Sequence, residues 1–400
     1  MFPDEFWWGT ASCSTQTEGA APASDWAAFE REGRAPESAN GNGFATRYET
    51  DFRLLAAAGL PHHRLTIEWA RIEPEEGFID KAAVEHYQQM LAAARDAGIN
   101  VWATLHHFSL PGWFLETGGF LEDRSRGRHW PRHVAFCGET FGNDVFAWTP
   151  INEPIAYAAR AYITGDHPPA VRSPWEYGRA LRGTQLAWRD AWRELRGGRP
   201  PVATVYDLSP IFASDDSRQA RTAADELDAV VWRLWLRGQQ DGLLVVPGRG
   251  EEVVADLADS ADLIGFTYYH AVAVRGDSSL RPYPSGEKVG PLGYAPWTEG
   301  LAIVIRRLAE ELPGRPFVVA GHGIGTDDDA WRRDVLRDSL GVIEDAVADG
   351  IDIRGFLHWT AIDGYEWRHG FNVPFGLFDR ERELRESATV LRAAAEGAAP

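Results

Sequence analysis

The chain is short of cysteine, of positive charge and of long apolar runs, and each shortage excludes something. Its 400 residues hold two cysteines, Cys13 and Cys137. Two cannot build a disulfide framework. They read as buried free thiols, which suits a reducing cytoplasm. Lys and Arg number 40 against 59 Asp and Glu, for a net charge of −19. Neutralising phosphates needs basic patches, so no nucleic-acid partner is expected. The same balance disfavours an anionic membrane surface. No stretch approaches 18 consecutive apolar residues, the length that spans a bilayer. The opening MFPDEFWWGTAS lacks the basic region and apolar run of a signal peptide. No linker, low-complexity tract or short repeat divides the chain. One domain over residues 1–400 is therefore expected.

What is present is an alternation. Short runs rich in Val, Ile, Phe, Trp or Thr occupy 6–11, 63–69, 101–107, 146–152, 201–208, 263–269, 316–321 and 353–360. Their hydrophobicity is continuous, as in parallel strands buried on both faces. Helical patterns lie between them at 81–97, 180–195, 220–236, 298–311 and 328–349. The first is the clearest: Val84, Tyr87, Leu91 and Ala94 share a face, Asp80 can cap its start and Gly98 its end. Strand then helix, about eight times over, predicts an α/β fold, a single (β/α)8 TIM barrel. An open doubly wound sheet would carry a Gly-rich loop after its first strand; Cys13-Ser14-Thr15-Gln16-Thr17-Glu18-Gly19 is not one. Residues 276–296 lack periodicity and read as a long loop at the active-site face.

Seventeen tryptophans stand out. They fit either core filling or flat platforms for sugar rings. Trp7, Trp8, Trp69 and Trp148 read as core. His62, His63 and His106 read as packing residues. His106 and His107 point to opposite faces of a strand, so they form no metal site.

A barrel displays its chemistry at the C-terminal strand ends. Read in order, these give Gln16 and Glu18, Arg64, His106 and His107, Asn152 and Glu153, Tyr268 and Tyr269, then His322, Trp359 and Glu366. The sharpest string is Trp148-Thr149-Pro150-Ile151-Asn152-Glu153-Pro154. A carboxyl at a barrel mouth, beside an amide and fixed by a proline, suits a general acid.

Together and in this order, the strings resemble glycoside hydrolase family 1, the β-glucosidase and β-galactosidase family. The resemblance runs from Phe6-Trp7-Trp8-Gly9-Thr10-Ala11 to Phe375-Gly376-Leu377-Phe378-Asp379. It implies a β-glucoside or related β-glycoside or oligosaccharide as small-molecule partner, and no cofactor. It implies that Glu153 is the acid/base, and that Gln16 and His107 bind the first sugar ring. Asn152 would meet its 2-hydroxyl, Trp359 its face, and Glu366 and Trp367 its 4- and 6-hydroxyls. Tyr269 and Arg64 match residues beside the nucleophile.

One departure matters. The family carries its nucleophile after the seventh strand in a Thr-Glu-Asn-Gly string, and the aligned residues here are Ala320-Gly321-His322-Gly323. Gly321 stands at the position of the missing nucleophile. Thr267 stands where an asparagine is usual. A retaining glycosidase needs two carboxyls about 5–5.5 Å apart. Without the second, Glu153 also lacks the like charge that would help hold its proton, so a lowered pKa is expected. Several readings stay open. One is a glycosidase or transglycosylase with a non-standard mechanism, inverting or substrate-assisted, with Asp327, Asp363 or His322 as base. Another is a catalytically inactive glycan-binding protein. The last is a new reaction on a glycoside using His322. The sequence leaves sugar, aglycone and oligomeric state undetermined.

Overall fold

Eight short strands form one parallel sheet that closes on itself: β1 (Trp7–Ala11), β2 (His62–Thr66), β3 (Asn100–His106), β4 (Ala147–Ile151), β5 (Tyr206–Asp207), β6 (Ile264–Tyr268), β7 (Phe317–His322) and β8 (Ile353–Trp359). Their order around the sheet is β4-β3-β2-β1-β8-β7-β6-β5. Closure falls between β4 and the residues leading into β5. There Trp148 bridges Val202 in parallel, and Glu153 N–H donates to Val205 O at 2.8 Å. The computed structural model describes residues 2–397. Met1 and residues 398–400, the ends of the expected single domain, lie outside the described residues.

The expected run 201–208 is regular only at Tyr206–Asp207, because it is shared between two neighbours. Val202 faces β4, while Ala203 bridges Leu263. The close approach needs a residue without Cβ on β6: a Cβ on Gly265 would sit 2.1 Å from Thr204 O.

Helices pack outside the barrel: α1 (Phe44–Ala57), α2 (Lys81–Asp96), α3 (Asp123–Phe141), α4 (Pro174–Leu195), α5 (Arg218–Asp228), α6 (Leu234–Asp241), α7 (Thr298–Glu311) and α8 (Asp329–Ala348). Capping sets their starts. Asp80 accepts from Ala82 N–H and Ala83 N–H ahead of α2, and Asp328 accepts from Trp331 N–H ahead of α8. Ser173 and the N1 proline Pro174 start α4 six residues earlier than its apolar periodicity implies. The helix expected at 220–236 is two helices, α5 and α6, joined by a π-helical turn at Ala229–Arg233. Residues 276–296 are not wholly irregular. Leu280–Tyr283 pairs antiparallel with Ala271–Val274, beside Ile211–Ala213. Among the described residues no helix is long and apolar enough to cross a membrane.

Most of the tryptophan is core. Trp26, Trp69, Trp102, Trp130, Trp148, Trp232 and Trp235 are fully buried. Each removes roughly 150–250 Å² from water, worth about 4–6 kcal/mol by area. Trp359 and Trp367 instead line a cavity at the C-terminal ends of the strands.

Candidate active site

Glu153 follows β4 with φ +46°, a left-handed conformation that a glutamate adopts at a cost of about 1–3 kcal/mol. Pro154 follows at once and opens a short helix, Pro154–Ala159. The bend is held by the bond from Glu153 N–H to Val205 O. It turns the carboxyl into the cavity, where Thr267 Oγ1 donates to Glu153 Oε1 at 2.8 Å.

Arg64, the central residue of β2, ties that strand to β7 and to the residue that follows β4. Its Nε donates to Ala320 O at 3.1 Å and its Nη1 to Asn152 Oδ1 at 2.7 Å. Its Cζ lies 5.9 Å from the ring centre of Trp359. The His107 ring lies 5.5 Å from the same indole. Across the cavity, Gln16 Nε2 donates to Tyr365 O at 2.7 Å and to Glu366 Oε2 at 2.9 Å. Trp367 is wedged between Trp26 and His167.

Gly321 borders this space. A Cβ built on it would lie 3.1 Å from Tyr269 Oη and 3.6 Å from Arg64 Nη2. It would also lie 2.9 Å from Thr267 Cγ2, a clash. Any side chain at 321 is therefore aimed at a tyrosine hydroxyl and a guanidinium. As glycine, it lets the Thr267 methyl and the Tyr269 hydroxyl close against the strand.

The cavity thus gathers Gln16, Arg64, His107, Asn152, Glu153, Tyr269, Trp359, Glu366 and Trp367. Leu292 and Tyr294, from the segment after β6, complete one wall. His322 is not among them. Its Nε2 lies 3.0 Å from Ser339 Oγ of α8, and its ring packs against Tyr268 and Phe356. The expected catalytic use of His322 is therefore corrected: it is a buried packing residue behind the strand. Burial lowers its pKa to about 4, so it is neutral. The other two candidate bases are also elsewhere. Asp327 is exposed. Asp363 is paired with Arg385 and accepts from Gly376 N–H. No three His, Cys, Asp or Glu side chains among the described residues are grouped to hold a metal ion.

Among the cavity residues that escaped the sequence reading are two charged ones. Asp207 ends β5 and stands in register with Thr267. It obeys the rule that polar residues close the strands, and that rule could have found it. Arg160 has no such signal, because it lies in a helical connection after β4.

Asp207 changes the electrostatics. The expectation was that Glu153, with no carboxylate at 321, lacks a like charge. Asp207 supplies one. Burial first, and then Asp207, push the Glu153 carboxyl above the usual range, against Thr267, Arg160 and Arg64. Burial raises Asp207 too, and Arg160 opposes it. Glu366 is pushed up to about 7, by burial and then by Glu153. His107 is held neutral by burial and by the charge of Arg64. Burial thus shifts these carboxyls toward their protonated forms, the direction a proton donor requires.

The fold agrees with that of known proteins. The model of glycosyl hydrolase family 1 matches residues 1–396. Coniferin beta-glucosidase from Pinus contorta is 26% identical, over 94% of this chain and 87% of its own. A 6-phospho-beta-galactosidase from Staphylococcus epidermidis is 24% identical, over 96% of this chain and 95% of its own. Among solved structures, a beta-glycosidase from Pyrococcus horikoshii superposes with a TM-score of 0.91 at 29% identity, covering 98% of this chain and 94% of its own.

Proposed function

The chain belongs to glycosyl hydrolase family 1, and on that premise we propose that it cleaves a β-glucoside or related β-glycoside by a mechanism without a carboxylate nucleophile. Glu153 is the general acid. The observation that carries this reading is the Glu153 carboxyl itself. It is buried at the cavity wall, hydrogen-bonded by Thr267, and its pKa is raised by burial and by Asp207. Its proton passes to the glycosidic oxygen as the bond from that oxygen to the anomeric carbon breaks. The aglycone leaves as a neutral alcohol.

The cavity in front of Arg64 and Tyr269 takes the attacking group. Arg64 Nη2 and Tyr269 Oη border it, and both offer hydrogen-bond donors. They suit the lone pairs of a water, or of a substrate carbonyl, better than they suit deprotonation. Water entering there attacks opposite to Glu153 and gives inversion, and the proton it releases passes through solvent at the cavity mouth to restore the Glu153 carboxyl. An inverting site leaves room for that water, with its carboxyls about 6.5–9.5 Å apart. A 2-acetamido oxygen in the same space would give substrate assistance, and a sugar hydroxyl would give transfer. Gln16, His107, Asn152, Trp359, Glu366 and Trp367 are read as the sugar contacts.

A second reading, a glycan-binding protein without turnover, is favoured by one observation. The three atoms nearest a Cβ at 321 belong to Thr267, Tyr269 and Arg64, and none is a carboxylate oxygen.

Proton NMR during turnover of a panel of aryl β-glycosides, 2-acetamido sugars included, separates the readings. Release of the α-anomer, lost in Glu153→Gln, is the expected result. Initial β-anomer overturns inversion and points to substrate assistance. Saturable binding with no Glu153-dependent release on any substrate overturns the hydrolase reading in favour of the binding protein. General acid catalysis contributes roughly 10²–10⁴-fold, which sets the loss expected in Glu153→Gln.

A further inference from the structure

Arg160 lines the cavity, yet its guanidinium makes no hydrogen bond or ion pair with any other described residue. Its contact is the ring of Phe108, with Cζ 5.6 Å from the ring centre. Arg64, by contrast, is committed to Ala320 and Asn152. The charge of Arg160 reaches Glu153, Asp207 and Glu366, but none of them forms an ion pair with it. A half-buried guanidinium stacked on an aromatic ring, with its donors unspent, is prepared for a planar anion held by two parallel bonds.

Its place decides which part of a substrate carries that anion. Arg160 lies seven residues after Glu153, on the connection that leaves β4. Glu153 faces the leaving-group oxygen in the reading above. Gln16 and Glu366, hydrogen-bonded to each other, are the groups read above as holding the sugar. We propose that Arg160 receives a carboxylate carried by the aglycone, so that the site prefers β-glycosides of phenolic or other hydroxy acids over neutral ones. This rests on the cavity being a β-glycoside site. The raised pKa values of Glu153 and Glu366 agree with it, because they lessen the negative charge an anionic aglycone must approach.

The test is calorimetric titration of the full chain with 4-carboxyphenyl β-D-glucopyranoside and with its methyl ester. The acid is expected to bind about 10- to 100-fold more tightly, the factor a charge-assisted bond gives. The ratio should shrink as salt is added. Arg160→Gln should bring the ratio to one, and Arg160→Lys should keep part of it. Thermal melting of both variants checks that the fold survives. Equal binding of acid and ester, or a preference that survives Arg160→Gln, overturns the inference alone. An Arg160-dependent preference for 4-nitrophenyl β-D-glucuronide over the glucoside overturns the assignment to the aglycone. Binding of neither acid nor ester overturns the glycoside reading and this inference with it.

Discussion

Thr267 links both halves of the site: its Oγ1 donates to Glu153 Oε1 at 2.8 Å, and its Cγ2 lies 2.9 Å from where a Cβ on Gly321 would stand. The same side chain that bonds Glu153 therefore crowds any side chain placed at 321. Residues 267 and 321 form one sterically matched pair.

That pairing gives a prediction about restoring the second carboxyl. Gly321→Glu alone displaces the Thr267 methyl and disturbs the bond to Glu153. Gly321→Glu with Thr267→Ser removes the methyl and keeps the hydroxyl. The double variant is expected to release the β-anomer first, by way of a glycosyl ester. Proton NMR reads the outcome, and an α-anomer from the double variant would refute it.

Asp207 sets the pH range of activity. Its negative charge adds to burial in raising the Glu153 pKa. Activity that needs protonated Glu153 falls as pH rises through that pKa. Asp207→Asn removes the charge, so the fall moves to lower pH. Profiles of kcat/KM against pH for both proteins check this. Superimposable alkaline limbs would show that Asp207 does not act on Glu153.

His322 is predicted to matter for stability and not for turnover. His322→Ala strips Ser339 Oγ of its buried partner. The cost is about 1–3 kcal/mol for the orphaned hydroxyl. Tm should fall while kcat on an aryl glucoside is retained. A collapse of kcat in a variant that melts normally would return His322 to the chemistry.

Asp25 gives a separate pH signature. It is buried, accepts from Leu110 N–H, and its pKa is pushed up to about 8, by burial first. A carboxyl whose folded pKa is raised contributes stability that is full below its unfolded value, about 3.9, and is lost as pH rises through the folded one. Asp25→Asn keeps the acceptor and cannot ionise. The Tm of the variant relative to the parent should climb from pH 4 to pH 8. A constant difference across that range would contradict the assignment.

Much of this was legible in the residues. Continuous apolar runs are what a strand buried on both faces requires, so the barrel strands could be placed by eye. Asp80 announced its helix because capping is local. Gln16, Glu153 and Trp359 could be found because a parallel barrel puts every strand's C-terminal end on one face.

The rest needed the fold. Arg160 comes to the cavity from a connection with no periodic signal. Asp207 gains its meaning only when β5 lies beside β6, opposite Thr267. The direction of His322 depends on a register shift between Val319 and Gly321, where β7 pairs with β6. Gly321 then faces Tyr269 and Arg64, and His322 faces Ser339. Composition and pattern thus determined the barrel, its polar rim and the glycine at 321, because these follow from local periodicity. Which side chains meet was decided by the tertiary structure, because one shifted residue in a strand sends its neighbours to opposite faces.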